Sequence, residues 1–146
     1  LDDAAPRIDP SGWRLEVRTL DGGRALTYDE IRGHDDRVRA TLDCTGGWFA
    51  TQDWSGVRLD RLLEGVEDAR SVVVTSATGY ARWFPIDDAN SLVLATRLGG
   101  EPLSAGHGFP ARLVAPGRRG FWWVKWVERI EASSTPWWWQ SPFPLT

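Results

Sequence analysis

Thr41-Leu-Asp-Cys-Thr-Gly-Gly-Trp48, followed by Gln52-Asp-Trp-Ser-Gly-Val57, holds the chain's one cysteine at the end of an apolar alternation. Val38, Ala40, Leu42 and Cys44 are spaced two apart, the period of a strand with one buried face, so Cys44 is expected on the inward side. Gly46 and Gly47 then end the strand, because paired glycines favour a turn. A thiol between a strand and a turn can reach a ligand from a loop. A lone inward cysteine is also an ordinary small core residue. What decides between these readings is whether anything else in the chain converges on that sulfur.

The chain has 146 residues, is 42% hydrophobic and 25% charged, and carries a net charge of −3. These values describe one globular domain large enough for a core. They argue against nucleic acid as a partner, since neutralising phosphates needs a basic face. One cysteine rules out an internal disulfide framework and a multi-cysteine zinc site. No apolar run approaches the roughly 20 residues of a membrane-spanning helix. The chain begins at Leu1 and has no methionine, so it is expected to be processed or part of something longer. A preceding part would carry targeting, a membrane anchor or more of the site. Ten tryptophans, each large and each with an N–H seeking a partner, predict an aromatic-lined surface or cleft as well as a core.

Outward from the cysteine, Trp13 to Leu20 alternates as a half-buried strand and Asp21-Gly-Gly23 turns it. Thr27-Tyr-Asp-Glu30 has capping-box spacing, which predicts a short helix to about Arg32. Val57 to Leu63 suits one or two helical turns closed by Gly65. Ser71 to Thr75 reads as a buried strand, Thr78-Gly79 as a turn into Tyr80–Phe84, and Pro85 to Asn90 as a helix begun by proline. Leu92 to Leu98, Arg112 to Ala115 and Val124 to Ile130 complete the strands, with Gly99-Gly100 a tight turn. Short helices interspersed among strands predict an α+β fold of mixed or antiparallel sheets.

Two further patches carry chemistry. His107-Gly-Phe-Pro-Ala-Arg112 brackets a Gly/Pro turn with a histidine and an arginine. Pro116-Gly-Arg-Arg-Gly-Phe-Trp-Trp-Val-Lys-Trp126 puts basic residues and glycine amides ahead of a strand on which Trp123 and Lys125 are expected to share a side. Guanidinium, ammonium and exposed N–H groups suit a phosphate. With one soft thiolate, they make the equipment for a phosphorylated, metal-bearing cofactor.

Cys44-Thr-Gly-Gly-Trp with Trp54-Ser-Gly-Val-Arg-Leu resembles the cysteine loop of sulfite-oxidase-type molybdopterin oxidoreductases. Thr75-Ser-Ala-Thr-Gly-Tyr80, Leu98-Gly-Gly-Glu-Pro-Leu103, His107-Gly-Phe-Pro-Ala-Arg112-Leu-Val-Ala-Pro-Gly117 and Val124-Lys-Trp126 continue the series in the family's order. The resemblance runs from about Trp13 to Gln140 and implies a sulfite-oxidase-like molybdopterin-binding fold of mixed sheets and short helices. It implies Cys44, with Thr45 beside it, as the protein thiolate on molybdenum. His107 and Arg112 would contact the pterin or its phosphate, and Arg118, Phe121, Trp123 and Lys125 would line the phosphate and pyran side. The implied chemistry is two-electron oxygen-atom transfer, or reduction of an oxidised substrate. The implied partners are a small oxyanion or oxidised small molecule, a haem or other electron carrier, and a membrane-anchored N-terminal part of the same protein, in an extracytoplasmic or membrane-tethered location.

The chain departs from the family pattern in three places. Residues 1–12 have no counterpart of the Arg/Asn/His-containing segment that precedes the first strand, and no tyrosine stands near Trp139-Gln140. Trp123 occupies a position where many members have histidine. Two alternatives follow: a cofactor-free member of the same fold acting as a binding or structural domain, and an unrelated tryptophan-rich module stacking flat ligands. The second leaves Cys44, His107, Arg112 and Lys125 unexplained.

Overall fold

Residues 5–43, 49–64, 66 and 68–140 are described by the computed structural model. Their elements are β1 (Arg14–Thr19), β2 (Gly22–Thr27), α1 (Tyr28–Arg32), β3 (Asp36–Asp43), β4 (Phe49–Arg58), α2 (Leu59–Leu62), β5 (Ser71–Ser76), β6 (Ala81–Pro85), β7 (Val93–Leu98), β8 (Glu101–Pro102), β9 (Arg112–Val114) and β10 (Val127–Ser133), with 3-10 turns at Ile86–Asn90 and Gly120–Trp122.

They form two sheets, in the orders β2-β1-β10-β5-β6 and β3-β4-β7-β8, with β9 also on β7. Pairings are antiparallel except β1 with β10, which run parallel with Val17 opposite Ile130. The predicted α+β architecture of mixed sheets is the one observed. In β1 the alternation works as read: Leu15 and Val17 are buried while Arg14 and Arg18 are exposed. Thr27 caps α1 reciprocally, Glu30 N donating to Thr27 Oγ1 at 3.1 Å and Thr27 N to Glu30 Oε1 at 3.0 Å. One core draws on both sheets, with Leu15, Val74, Phe84 and Ile130 from the first and Trp54, Val57, Leu94 and Leu113 from the second.

One stretch without an expected element proves to be a strand, and three expectations change. The stretch from Gln52 to Val57 is the middle of β4, a full strand between β3 and β7. Helix α2 spans only Leu59–Leu62, because Val57 and Arg58 belong to β4. Residues 86–90 form a 3-10 turn that Pro85 precedes. The last strand begins at Val127, so 123–126 is irregular chain and Trp123 and Lys125 do not share a strand face. Trp123 is 2% exposed and Lys125 only half-buried.

Gly56 explains why β4 and β7 come so close. A Cβ there would lie 1.9 Å from Leu94 O and 2.7 Å from Ala95 Cα, where the pairing shifts register between Ser55 and Gly56. Any side chain must push the two backbones apart. Gly56→Ala is therefore expected to lower the unfolding free energy by about 1–3 kcal/mol or more. Gly12→Ala, which meets nothing within 4 Å, should change it by less than about 0.5 kcal/mol. Urea unfolding of both variants checks the contrast, and equal midpoints would contradict it.

Candidate functional site

The turn at 104–110 is built from short-range hydrogen bonds. His107 N donates to Ser104 O at 3.1 Å, Gly108 N to Ala105 O at 3.1 Å and Phe109 N to Ser104 O at 3.0 Å. Gly108 sits at φ +112, a region side chains avoid, and a Cβ there would be 2.8 Å from Arg112 Cβ and 3.4 Å from Lys125 Cβ. That missing side chain lets the turn lie directly on β9 and on the 123–126 segment. His107 is exposed, and its Nδ1 is 2.7 Å from Ser104 Oγ. His107 N also donates to that oxygen at 3.2 Å, so the Ser104 hydroxyl holds both the backbone and the ring of His107.

Arg112, at the start of β9, is 2% exposed. Its Nη1 donates to His107 O at 3.1 Å and its Nη2 to Trp123 O at 3.3 Å. The guanidinium lies 5.2 Å from the Trp54 ring centroid and 5.7 Å from that of Trp123, and the two indoles meet edge-on at 5.8 Å. Arg112 thereby joins β4, the 104–110 turn and the 118–123 segment at one buried point.

The 123–126 segment is held from three directions. Leu113 N donates to Val124 O at 2.8 Å and Val127 N to Ala111 O at 2.9 Å. Trp123 Nε1 donates to Arg118 O at 3.1 Å. Trp126 takes φ 53, unusual for a bulky residue. The surroundings fix it there, since its indole donates to Ala105 O at 2.7 Å and its carbonyl accepts from Ala77 N at 2.7 Å.

A cleft of about 260 Å³ opens beside this segment, between the β5–β6 turn and residues 120–126, lined by Ser76, Thr78, Tyr80, Phe121, Lys125 and Trp126 among others. Tyr80 Oη donates to Phe121 O at 2.7 Å, tying the residue before β6 to the Gly120–Trp122 turn. Burial pushes the Tyr80 phenol above its usual pKa, with the charge of Arg82 opposing the shift. A wider trough, about 880 Å³, covers Arg14, Glu16, Arg18 and Glu131. It is a solvated charged face on which Arg18 and Arg129 share Glu16.

His107, Arg112, Trp123 and Lys125 are thus brought together, and Phe121, Trp123 and Lys125 border the cleft. Arg118 points elsewhere, pairing with Asp88 at 3.2 Å and stacking 4.6 Å over Trp122. Cys44 and Thr45 lie outside the described residues. Among the described residues, no group of three His, Cys, Asp or Glu side chains is placed to hold a metal ion. Trp126, Ser104 and Arg82 carry no site role in the sequence motifs. Only Arg82 left a signal, as a charged residue two positions before Phe84 on the inward face of a strand.

The family profile described as "Oxidoreductase molybdopterin binding domain" matches residues 3–140. Mitochondrial sulfite oxidase of Rattus norvegicus is 28% identical over 166 residues, covering 88% of this chain and 30% of that protein. A putative protein-methionine-sulfoxide reductase subunit, YedZ1, of Azospira oryzae is 32% identical over 139 residues, covering 88% of this chain and 52% of that one. Among solved structures, the sulfane dehydrogenase SoxCD of Paracoccus pantotrophus superposes with a TM-score of 0.82 at 24% identity, over 90% of this chain and 40% of that one. The chain spans under a third of the rat protein and about half of the Azospira protein. With the profile reaching nearly end to end and the fold shared, the chain belongs to the sulfite-oxidase-type family of oxidoreductase molybdopterin-binding domains.

Proposed function

We propose that this domain holds a molybdenum-molybdopterin cofactor with Cys44 as its protein thiolate, and that the whole protein uses it for two-electron oxygen-atom transfer or for reduction of an oxidised small molecule. The observation that carries this reading is the close seating of the 104–110 turn on Arg112 and Lys125, in a chain of this family. The donor chemistry fits a phosphorylated cofactor. The side-chain-free Gly108 seats the turn that carries His107 against Lys125, whose ammonium is a donor suited to phosphate. A thiolate suits a high-valent metal.

In this reading His107 and Lys125 bind and orient the cofactor, and Phe121, Trp123 and the 118–124 backbone line its phosphate and pyran side. Arg112 acts by holding the His107 and Trp123 carbonyls in place. Tyr80 fixes the Gly120–Trp122 turn by its bond to Phe121 O. When bound, the cofactor supplies a metal centre that exchanges an oxygen atom and two electrons with substrate. The two curated relatives bear names for opposite directions, oxidation of sulfite and reduction of methionine sulfoxide. In this reading the substrate is a small oxyanion or an oxidised small molecule, with a haem or other carrier taking or giving electrons.

Metal and pterin analysis of the full-length protein tests this. Wild type is expected to carry both, and Cys44→Ser to lose most of its molybdenum while keeping a native circular-dichroism spectrum. Wild-type protein from molybdenum-replete cells that contains neither component would sink the proposal.

Gly108→Ala gives a second check that does not touch the sulfur. Its Cβ meets Arg112 Cβ and its φ is strained, so the turn must lift from Lys125. Cofactor affinity is expected to fall by about 10–100-fold, read as pterin retained through gel filtration. Full retention would show that the turn's seating does not matter to binding.

A further inference from the structure

Two charged side chains are buried among the described residues, Arg112 and Arg82. Arg112 reaches two carbonyls, but Arg82 has no such partners. It sits on β6 opposite Val74, on the same face as Phe84, and is 3% exposed. Its Nε and Nη2 are sealed from solvent with no acceptor. The guanidinium lies 4.0 Å from the Trp122 ring centroid and 5.7 Å from that of Phe121. Among the described residues, the charged or titratable groups near it are the Tyr80 phenol, two residues before it in the chain and hydrogen-bonded to it, and the like-charged Arg118 from the 115–119 loop. Arg118 has Asp88 as its counter-ion, and Arg82 has no carboxylate among the described residues. Burial disfavours the charged form of Arg82, yet a guanidinium does not give up its proton in a protein. A buried charge without its partner is strongly destabilising, so this one needs an anion that the described chain does not supply.

The place for that anion adjoins it. Tyr80 and Phe121, the residues Arg82 touches, form one wall of the cleft between the β5–β6 turn and residues 120–126. Thr78 and Lys125 line the same cleft. We propose that Arg82 is the fixed counter-charge of an oxyanion subsite in this cleft, with Tyr80, Thr78 and Lys125 at its surface. A cation one side chain behind a low-dielectric wall favours an anion in front of it far more than the same cation in water would. With the Tyr80 and Thr78 hydroxyls donating to Phe121 O and Ser76 Oγ, it is the ammonium on the cleft wall and the guanidinium behind it that suit a tetrahedral oxyanion, either a phosphate monoester or a sulfur oxyanion. Where the occupant is the cofactor's phosphate, the inference rests on the cofactor reading; where it is a substrate-side oxyanion, it stands on the cleft alone.

The test uses the full-length protein, cofactor-loaded and cofactor-free, with inorganic sulfate exchanged for chloride at constant ionic strength and thermal unfolding as the readout. Sulfate raises the stability of many proteins by exclusion from their surfaces, so the difference between variants is what counts. In chloride, Arg82→Met is expected to unfold at a higher temperature than wild type, because a buried unpaired charge is gone. It should also lose the sulfate response of the cofactor-free protein, with apparent sulfate affinity reduced about tenfold or more. Arg82→Gln is a second neutral variant should the first fail to fold. Loss of pterin from Arg82→Met, with no sulfate response in loaded wild type, identifies the cofactor phosphate as the occupant. Unchanged pterin with a sulfate response in the loaded form identifies a substrate-side oxyanion. Equal sulfate shifts in wild type and a neutral variant, or no shift in cofactor-free wild type, overturns the subsite. Full-length protein without any molybdopterin would defeat the cofactor reading while leaving the sulfate comparison to decide Arg82.

Discussion

A guanidinium held between two indoles organises this domain. Arg112 lies against the faces of Trp54 and Trp123 and donates to the carbonyls of His107 and Trp123. Those contacts come from β4, from the 104–110 turn and from the segment after β9, which are far apart in sequence. Arginine is suited to this because its planar fork reaches two carbonyls at once while its face stacks on an aromatic ring. Lysine offers neither geometry. The donors and the cleft of the site are therefore assembled around a buried cation, and a shift in its position would move both loops together.

Much of this was legible in the chain. β1 and β5 were read from period and apolar run, and α1 from Thr27 and Glu30 alone, because each depends on neighbours within a few residues. β4 is not legible in this way, because Thr51, Gln52 and Asp53 separate Phe49-Ala50 from Trp54, and Ser55 and Gly56 separate Trp54 from Val57. Its strand character comes from β3 and β7 on either side, which no local window contains. The start of the last strand is hidden for a related reason. Trp123 to Trp126 has strand-like residues, but the hydrogen bonds of Val124, Trp126 and Val127 run to Leu113, Ala77, Ala105 and Ala111 instead of along one ladder. The convergence of His107 with Lys125 was legible only through the order of motifs, since it depends on the absence of a side chain at Gly108.

The tryptophans divide by environment in a way composition could not show. Trp13, Trp54, Trp122 and Trp123 are core residues, and Trp138 and Trp139 are 59% and 72% exposed. Trp137 bridges the two groups, 6.5 Å from Trp122 on one side and from Trp138 on the other. Gln140 fixes that segment by imitating a strand. Its Oε1 accepts from Trp83 N at 2.9 Å and its Nε2 donates to Trp83 O at 2.6 Å. The side chain thus covers backbone groups on the open edge of β6, which would otherwise invite pairing with another chain.

The contrast between the two cations on Trp122 shows what the aromatic setting accomplishes. Arg118 stacks on that ring and is also paired with Asp88, so its charge is largely cancelled nearby. Arg82 stacks on the same ring with no carboxylate among the described residues. A carboxylate would have stabilised Arg82 more than an indole face does, but it would also have removed the field that reaches the cleft. An indole stabilises a cation through its quadrupole and leaves the net charge intact. Stability alone favours an apolar residue at position 82, since replacing a buried charge by a packed hydrophobe is often neutral or better. That Arg82 has no carboxylate among the described residues is understandable if the compensating charge arrives from outside the protein.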